Sequence, residues 1–434
     1  MTLRGNSMKT YTIYEYQSFV CNKSNLPDGY KSIESEKTFQ DLKQFVLECN
    51  GKNETDALDL MSCSYRKGFG EVITAKNYVG LIAMRDGTVI EILPKVSRSE
   101  DFDAKKLLID MLRTVRDLPF KAFNATKLDY SEVPLLEIFI SMFINEVKLL
   151  LQQGLKSDYL LHQDNEKFLK GKLLFENHIK QNLIRKDRFF VEYHLYNIDR
   201  VENRLLKTTL SFLLRFCKST KNKRELQTLL DSLDEVRFSQ NIDVDFTLCS
   251  KSRDMKAYKK VLQWCEIFLK GNSFTNSQGK HLATALLFPM EKLFESYVAE
   301  KLSKALDFDM FNVRKQDGKH HLFERKFALR PDIVVENRKE DFTVVLDTKW
   351  KLLCSDSKAN YGIAQGDMYQ MYAYGKKYGS RKVILLYPLN EKVTGLGQSI
   401  NFPSPENDDV NVHVRFIDLS KRNFIDDIVA EFFS

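Results

Sequence analysis

The sequence predicts an α/β protein with three domains. They are a β-rich N-terminal domain (residues 1–102), a helical middle domain (103–275) and a C-terminal domain (281–434) with a mixed sheet flanked by helices. The apolar residues change from short β-branched runs to helical spacing near residue 103, and to alternating helices and strands after residue 281. A chain of 434 residues is also too long for one ordinary core, so two or three domains are expected.

The N-terminal domain is predicted from residues 65–96, where β-branched and apolar residues form short runs. Asp86 and Gly87 lie between two of these runs and are typical of a tight turn. Pro94 limits how far the last strand can pair. We therefore expect a small sheet or barrel that ends near residue 100.

In the middle domain, apolar residues recur at helical spacing in four segments, which are residues 103–115, 133–155, 201–220 and 252–271. Gly154 is a plausible stop for the second helix. A polar, glycine-containing linker over residues 271–280 separates this domain from the next.

The C-terminal domain is predicted as a helix, three strands, a helix and a strand. These six segments are residues 289–306, 308–316, 329–336, 342–350, 362–378 and 382–388. A charged turn, "NRKED", separates the second and third strands. This order indicates an α/β domain with a mixed sheet.

Two aspartates interrupt the paired apolar strands around that turn. Fourteen residues separate Asp332 from Asp347, so antiparallel pairing brings both carboxylates to one end of the sheet. Asp347 and Lys349 are two residues apart and point to the same face, while Thr348 points to the other. The alternative is that these are ordinary polar residues at the end of a hairpin. An exposed salt bridge there would contribute about 0 to 1 kcal/mol to stability.

Two carboxylates and an ammonium group on one rim suit phosphodiester hydrolysis. Mg²⁺ is commonly held by one or two carboxylates together with water and phosphate oxygens. A neighbouring lysine can orient or deprotonate the attacking water and offset charge on the transition state. The predicted catalytic group is therefore Asp332, Asp347 and Lys349, with Mg²⁺ on the carboxylates and Mn²⁺ as a possible substitute.

Two helices offer further candidates. Glu291 and Glu295 lie four residues apart on one helix face, so either is a candidate metal carboxylate, although an exposed helical glutamate is the commoner outcome. Gln370 and Tyr374 share a face of the following helix and are predicted to meet a phosphate or the lysine. The alternative for that pair is an amphipathic helix that packs its aromatic residues on the sheet.

The composition indicates a soluble globular protein, with 43% hydrophobic and 29% charged residues and a net charge of +7. Its seven scattered cysteines form no CxxC pair, which indicates reduced thiols rather than a zinc site. No apolar run is long enough for a signal peptide or a membrane span, so we expect a cytoplasmic location.

Basic residues cluster in the middle domain, where they would give sequence-independent contacts with DNA phosphates. They are Lys167, Lys170, Lys172, Lys180 and the basic residues of segments 185–188 and 218–224. For segment 218–224, a solvated loop is the slightly favoured alternative. No helix-turn-helix or zinc-finger motif is visible in the sequence.

"RPDIVVE", "LDTKWK" and "GDMYQMYAYGKKY" together resemble the PD-(D/E)xK nuclease domain of the McrC family, the nuclease subunit of McrBC-type 5-methylcytosine restriction systems. "GLIAMRDGTVIEILPKV" resembles the N-terminal segment of that family, and "MEKLFESYV" its helix before the active site. The resemblance extends over most of residues 65–390, including "LKGKLLF" and "VENRLLK" in the middle. The first 60 residues and those after about 395 resemble nothing that we can place.

The resemblance implies a type IV restriction endonuclease subunit of a phage-defence system. Such a subunit docks on a hexameric, McrB-like AAA+ GTPase, stimulates it and cuts double-stranded, methylated DNA. By position, Asp332, Asp347 and Glu295 would hold Mg²⁺ and Lys349 would be the catalytic lysine, with Gln370 and Tyr374 in support. No GxxxxGK[ST] motif is present, so no nucleotide is expected on this chain.

Three functions remain open on the sequence alone. The first is the nuclease subunit just described. The second is a regulatory subunit that keeps the nuclease fold but mainly activates the motor. The third is a solitary nuclease resembling the RecB nuclease domain, which would cut DNA ends without nucleotide.

The turn at Asp86–Gly87 is a candidate docking element for the motor, with an ordinary turn as the alternative.

Overall fold

The structure is a computed structural model. It describes residues 9–50, 60–84, 86–96, 103–115, 133–249, 255–270, 283–340, 342–397, 399–404, 409–421 and 423–433. These residues form two compact units: residues 136–249 and 255–270 make up one, and the other described residues make up the second. The N-terminal and C-terminal sheets thus belong to one unit, and the three-domain division stays a prediction.

The secondary structure is mixed throughout. The α-helices are α1 (Glu36–Asn50), α2 (Ala104–Leu112), α3 (Leu135–Gln153), α4 (Phe175–Asn182), α5 (Val201–Phe216), α6 (Thr220–Asp231), α7 (Ile242–Leu248), α8 (Lys256–Lys270), α9 (Met290–Ala305), α10 (Gln365–Tyr378) and α11 (Phe424–Phe432). The strands are β1 (Thr10–Tyr14), β2 (Ser18–Cys21), β3 (Tyr30–Ile33), β4 (Met61–Arg66), β5 (Gly70–Ala75), β6 (Tyr78–Met84), β7 (Val89–Leu93), β8 (Asp158–Glu166), β9 (Lys172–Leu173), β10 (Phe189–Asn197), β11 (Ala283–Pro289), β12 (Phe311–Lys315), β13 (His321–Phe323), β14 (Lys326–Ala328), β15 (Ile333–Asn337), β16 (Phe342–Thr348), β17 (Lys382–Pro388), β18 (Ser399–Phe402) and β19 (Asn411–Ile417). The predicted α/β class is confirmed.

The N-terminal region forms two four-stranded sheets, with strand orders β1-β7-β6-β11 and β3-β2-β5-β4. The prediction that this region is completed before residue 103 is wrong, because β11 comes from just before α9 and pairs antiparallel with β6. At Gly80 (φ +132°) the two backbones approach so closely that a Cβ atom would lie 2.0 Å from the carbonyl oxygen of Leu286. Only glycine fits there.

The predicted turn between β6 and β7 is present at Asp86 and Gly87. The Asp86 carboxylate accepts hydrogen bonds of 2.7 Å from the Thr88 backbone N–H and of 2.7 Å from the Thr38 hydroxyl. Although burial raises its pKa, these hydrogen bonds outweigh that effect and hold the pKa of Asp86 below its usual value. These contacts are those of an ordinary turn tied to α1, and docking at this turn stays a prediction.

The middle unit contains a sheet that the sequence analysis missed. Strands β8, β10 and β9 form a three-stranded antiparallel sheet, in which β8 and β10 pair over nine residues from Phe189–Glu166 to Asn197–Asp158. The predicted helical middle domain therefore also contains a sheet that was not predicted. The signal was weak because polar residues interrupt both strands, as in "DYLLHQDNE", and no apolar run marks a buried strand.

The basic segment 218–224 lies mostly in a helix rather than in a solvated loop. Ser219 caps α6 by accepting a hydrogen bond from the Asn222 backbone N–H, and Asn222 is buried against Glu137 of α3. The preference for a loop is therefore wrong, because the N-cap serine and the buried asparagine start a helix within the charged run. The predicted helices corresponding to α3, α5 and α8 are confirmed.

The C-terminal sheet has six strands in the order β12-β15-β16-β17-β19-β18. Strands β12, β15 and β16 pair antiparallel, whereas β17 pairs parallel with both β16 and β19. Helix α10 is the crossover between β16 and β17, and its buried Met371 and Tyr374 pack in the same core as Val345 and Val383. The predicted mixed sheet is confirmed, and β18, β19 and α11 extend it beyond residue 395.

The predicted linker over residues 271–280 lies outside the described residues. Among the described helices, none combines the length and the apolar character needed to cross a membrane.

Each cysteine whose side chain is described is a free thiol. Burial raises the pKa of both Cys217 and Cys265 to about 12, so these two thiols are protonated and unreactive near neutral pH.

Candidate active site

Strands β15 and β16 bring the two predicted aspartates to one end of the C-terminal sheet. The strands pair antiparallel with Ile333 opposite Leu346. Asp332 precedes β15 and Asp347 is the second-last residue of β16, so the register places them next to each other. Both strands are buried on both faces along most of their length, as expected for central strands of a sheet covered by helices.

Asp332 is held by the residue after Asp347. Its Oδ2 atom accepts hydrogen bonds of 2.7 Å from both the backbone N–H and the hydroxyl of Thr348. Burial raises the pKa of Asp332, and the two hydrogen bonds oppose that effect. Sequence reasoning assigned Thr348 to the opposite face and gave it no role. The threonine between the aspartate and the lysine was the available signal.

Asp347 and Lys349 form a largely buried ion pair. The side chain of Asp347 is 2% exposed, and its Oδ2 atom lies 2.7 Å from Lys349 Nζ. Among the described groups, none gives this oxygen a hydrogen bond of good geometry. Burial and the charge of Asp332 raise the pKa of Asp347 to about 7, although Lys349 acts in the opposite direction. Asp347 is thus a buried acidic group paired with Lys349.

Lys349 is connected to the two predicted residues of α10. Its Nζ atom donates to Gln370 Oε1 at 3.3 Å, and Gln370 Nε2 donates to the Tyr374 hydroxyl at 2.6 Å. Burial lowers the pKa of Lys349, but the charges of Asp347 and Asp332 outweigh it, so the net shift is upward. Lys349 is therefore an ammonium ion at neutral pH, oriented by Gln370.

The two candidate glutamates of α9 face different surroundings. Glu295 accepts a hydrogen bond from Gln316, and burial together with the charge of Asp332 raises its pKa to about 7. Glu291 instead accepts a hydrogen bond of 3.3 Å from Asn77, which precedes β6. Glu295 is therefore the helix carboxylate that lies within electrostatic range of the aspartates.

Asp367 is a further carboxylate that sequence reasoning missed. It lies in the first turn of α10, where its Oδ2 atom accepts a hydrogen bond of 3.4 Å from the Tyr387 hydroxyl. Its charge raises the pKa of both Asp347 and Lys349. The spacing of Asp367, Gln370 and Tyr374, three and then four residues apart, was the available signal for a shared helix face.

Trp350 connects this group to the N-terminal sheets. Its indole N–H lies 3.0 and 3.1 Å from the two carboxylate oxygens of Glu15, which directly follows β1. The Lys95 backbone N–H donates to the same carboxylate at 3.1 Å. Burial raises the pKa of Glu15 to about 8. The residue after Lys349 is thus fixed by a buried acid that lies more than 300 residues away in the sequence, which no local pattern reveals.

The donor set fits Mg²⁺ with few protein ligands. Within the described part of the chain, no group of three or more His, Cys, Asp or Glu side chains is arranged to hold a metal ion. Mg²⁺, however, is usually bound by one or two carboxylates, with water and substrate oxygens as the other ligands. The buried carboxylate of Asp347 and the crowded charges of Asp332 and Glu295 are what a bound cation would stabilise.

Comparisons with known proteins show the family to which the chain belongs. The family model described as "McrBC 5-methylcytosine restriction system component" matches residues 73–388, a span that contains all of the predicted site residues. The chain belongs to this family. No curated protein matches it.

Two solved structures contain chains with a similar fold. One is a refined half-complex from a tetradecameric assembly of Thermococcus gammatolerans McrB AAA+ hexamers with bound McrC. The TM-score of this match is 0.67 and the sequence identity is 19%, and the match covers 97% of this chain and 100% of that chain. The other is the cryo-EM structure of the Thermococcus gammatolerans McrBC complex, with a TM-score of 0.50 at 21% identity, covering 71% of this chain and 90% of that chain. These likenesses show a shared fold.

Proposed function

We propose that this chain is the Mg²⁺-dependent DNA endonuclease subunit of a modification-dependent restriction system, a cytoplasmic type IV restriction endonuclease subunit. The observation that carries the proposal is the meeting of Asp332, Asp347 and Lys349 at one sheet end, within the region that matches the restriction-system family. The C-terminal sheet and its flanking helices would then be a PD-(D/E)xK nuclease domain.

In this proposal Asp347 and Asp332 hold Mg²⁺, with Glu295 as an additional ligand, directly or through water. A bound Mg²⁺ would polarise the scissile phosphodiester and neutralise charge on its oxygens. Thr348 keeps Asp332 in place through its two hydrogen bonds, which reduces the reorganisation needed when substrate arrives.

Lys349 supplies positive charge beside the scissile phosphate. As an ammonium ion it orients the attacking water and offsets charge that develops in the transition state. Gln370 and Tyr374 position it from α10 through a chain of hydrogen bonds. Deprotonation of the water by Lys349 would require the lysine to lose its proton first, and the neighbouring carboxylates oppose this.

The proposed partner is a hexameric, McrB-like AAA+ GTPase, because the solved chains of similar fold come from assemblies of McrB AAA+ hexamers with McrC. In this arrangement the motor reads modified DNA, such as 5-methylcytosine, and hydrolyses GTP. The present chain docks on the ring, stimulates GTP hydrolysis and cuts double-stranded DNA. Exposed basic residues of the middle unit, including Lys172, Lys180 and Arg185, are available for phosphate contacts.

A regulatory subunit is the second candidate. It rests on the large part of the chain, before residue 275, that lies outside the predicted nuclease domain. Under that proposal the C-terminal sheet would be a retained scaffold, and motor activation would be the main task. It differs from the nuclease proposal in predicting GTPase stimulation without any cleavage.

The test is nucleotide-dependent cleavage of methylated and unmethylated duplex DNA by the purified chain together with its McrB-like motor. We expect Mg²⁺- and GTP-dependent cutting of the methylated duplex only. Stimulated GTP hydrolysis without cutting would support the regulatory subunit, and cutting of DNA ends without motor or nucleotide would support a solitary RecB-like nuclease.

A further inference from the structure

A two-stranded hairpin emerges beside the candidate active site. Strands β13 and β14 pair antiparallel, with His321 opposite Ala328 and Phe323 opposite Lys326. The hairpin occupies the connection between β12 and β15, and it ends four residues before Asp332. Residues 319–330, which we call the 319–330 hairpin, played no part in the sequence-based account.

Both ends of this connection are fixed to the candidate site. The Gln316 backbone N–H donates to the Asp332 carbonyl oxygen at 2.9 Å, and the Gln316 side chain donates to Glu295. The His320 ring packs edge-on against Tyr378 of α10, with ring centroids 4.4 Å apart. The base of the hairpin is therefore attached to Gln316 and α10, which also contact residues of the candidate site.

The tip of the hairpin lies within the reach of one bound duplex. Six residues lie between Arg325 and Asp332, so the two are no more than about 25 Å apart even if the chain is fully extended. One turn of B-form DNA is about 34 Å long. A duplex with a phosphate at the carboxylates and its axis directed towards the hairpin is therefore long enough to reach the tip.

The hairpin exposes two aromatic rings to solvent. Phe323 is 63% exposed and Phe327 is 71% exposed, and the rings meet edge to face with centroids 6.0 Å apart. Phe327 has a positive φ of +56° and Arg325 a φ of +53°. Such a backbone is unfavourable for bulky residues and is concentrated at functional positions.

The charge around these rings is positive. Lys319, Arg325, Lys326 and Arg330 are exposed along the hairpin, and Glu324 is the acidic residue among them. Basic side chains beside exposed aromatic rings suit nucleic acid, since cations contact phosphates while rings pack against bases or insert between base steps. Double-stranded DNA carries one negative charge per about 1.7 Å of helix axis, so it presents a dense row of anions to these basic residues.

We propose that the 319–330 hairpin is a DNA-contacting element of the nuclease. Arg325 and Lys326 contact phosphates of the duplex, and Phe323 and Phe327 pack against its bases. The hairpin would hold the DNA next to Asp332 and Asp347 so that a phosphodiester bond stays at the site. This inference rests on the proposed nuclease function and adds residues that contact the substrate.

The test measures DNA binding without cleavage. The full-length chain with Asp347→Asn is titrated against a fluorescein-labelled duplex in Mg²⁺ at several salt concentrations, and anisotropy gives the affinity. Lys326→Ala and Arg325→Ala should each lower the slope of log affinity against log salt by about 0.9. Phe323→Ala and Phe327→Ala should each weaken binding by about tenfold without changing that slope.

Matched controls come from the turn region of β4 and β5, where Tyr65 is 80% exposed and Lys67 is also exposed. Tyr65→Ala and Lys67→Ala should leave affinity and salt slope unchanged. Phe327→Trp should keep the affinity within about threefold, because a large apolar ring is retained. Thermal melting of each variant separates a lost contact from a lost fold.

Hairpin variants that bind the duplex like the Asp347→Asn chain would overturn the proposal. Variants that keep DNA affinity but lose stimulation of the motor GTPase would overturn it in favour of a protein partner at the hairpin. Failure of the nuclease function itself would look different, because the unsubstituted chain would then not cut in any nucleotide condition, whatever the hairpin variants do in the binding assay.

Discussion

Trp350 donates its indole N–H to the carboxylate of Glu15, with distances of 3.0 and 3.1 Å to the two oxygens. Trp350 directly follows Lys349, and Glu15 directly follows β1. The N-terminal sheets thus fix the chain next to the candidate catalytic lysine. A buried carboxyl group in this position also makes the stability of the protein depend on pH.

Glu15→Gln should remove part of that pH dependence. Burial raises the pKa of Glu15 to about 8 from an ordinary value of 4.5, so the folded chain holds this proton more tightly than the unfolded chain. Its contribution to stability is therefore complete below the ordinary pKa and is lost as pH rises through about 8, with a slope of up to about 1.4 kcal/mol per pH unit. Gln has no proton to lose.

Melting temperatures of both proteins between pH 5.5 and pH 9 check this prediction. The unsubstituted chain should lose stability with rising pH more steeply than Glu15→Gln, and the exposed control Glu391→Gln should behave like the unsubstituted chain. Parallel curves for the unsubstituted chain and Glu15→Gln would show that Glu15 is already ionised in the folded protein.

Thr348→Val should weaken the candidate site without removing any carboxylate. The substitution deletes the hydroxyl that donates to Asp332 at 2.7 Å and leaves the backbone N–H bond in place. Losing one hydrogen bond to a charged group costs about 1.5 to 3 kcal/mol, so cleavage at pH 7 should fall at least about tenfold. Thr348→Ser keeps the hydroxyl and should retain most activity; equal rates for the two variants would contradict the role given to Thr348.

The Mg²⁺ requirement for cleavage should depend on pH. Without metal, burial and neighbouring charges raise the pKa values of Asp347 and Glu295 to about 7. Protons therefore compete with the cation below pH 7, and the Mg²⁺ concentration for half-maximal rate should rise up to about tenfold per pH unit for each proton displaced. It should level off above pH 8. A requirement that is constant between pH 6 and pH 8 would contradict Asp347 and Glu295 as ligands.

Two glycines of α10 provide a matched test of how this helix is held. A Cβ atom on Gly375 would lie 2.5 Å from Val410 Cγ1, whereas a Cβ atom on Gly366 would meet no atom within 4 Å. Gly375→Ala should therefore destabilise the protein by about 1 to 3 kcal/mol through overpacking. Gly366→Ala should be neutral or stabilising by up to about 1 kcal/mol through helix propensity. Chemical denaturation measures both, and equal effects would contradict the packing of α10 described above.

The sequence predicts best what local patterns determine. The pairing of Asp332 with Asp347 follows from strand alternation and the charged turn, and the sharing of a helix face by Gln370 and Tyr374 follows from their spacing. The contact between Glu15 and Trp350 and the strand β11 in the N-terminal sheet are long-range, and no local periodicity encodes them. The sheet of β8, β9 and β10 was missed because its polar residues hide the strand pattern.

The most direct test of the central claim measures two activities of Asp347→Asn in one reaction. The reaction contains the McrB-like motor, GTP, Mg²⁺ and a methylated duplex, and both DNA cleavage and GTP hydrolysis are followed. We predict that cleavage falls by at least about 10²-fold, because a metal-binding carboxylate is lost, while stimulation of GTP hydrolysis is unchanged. Cleavage at the rate of the unsubstituted chain would contradict the assignment of Asp347 to the catalytic centre.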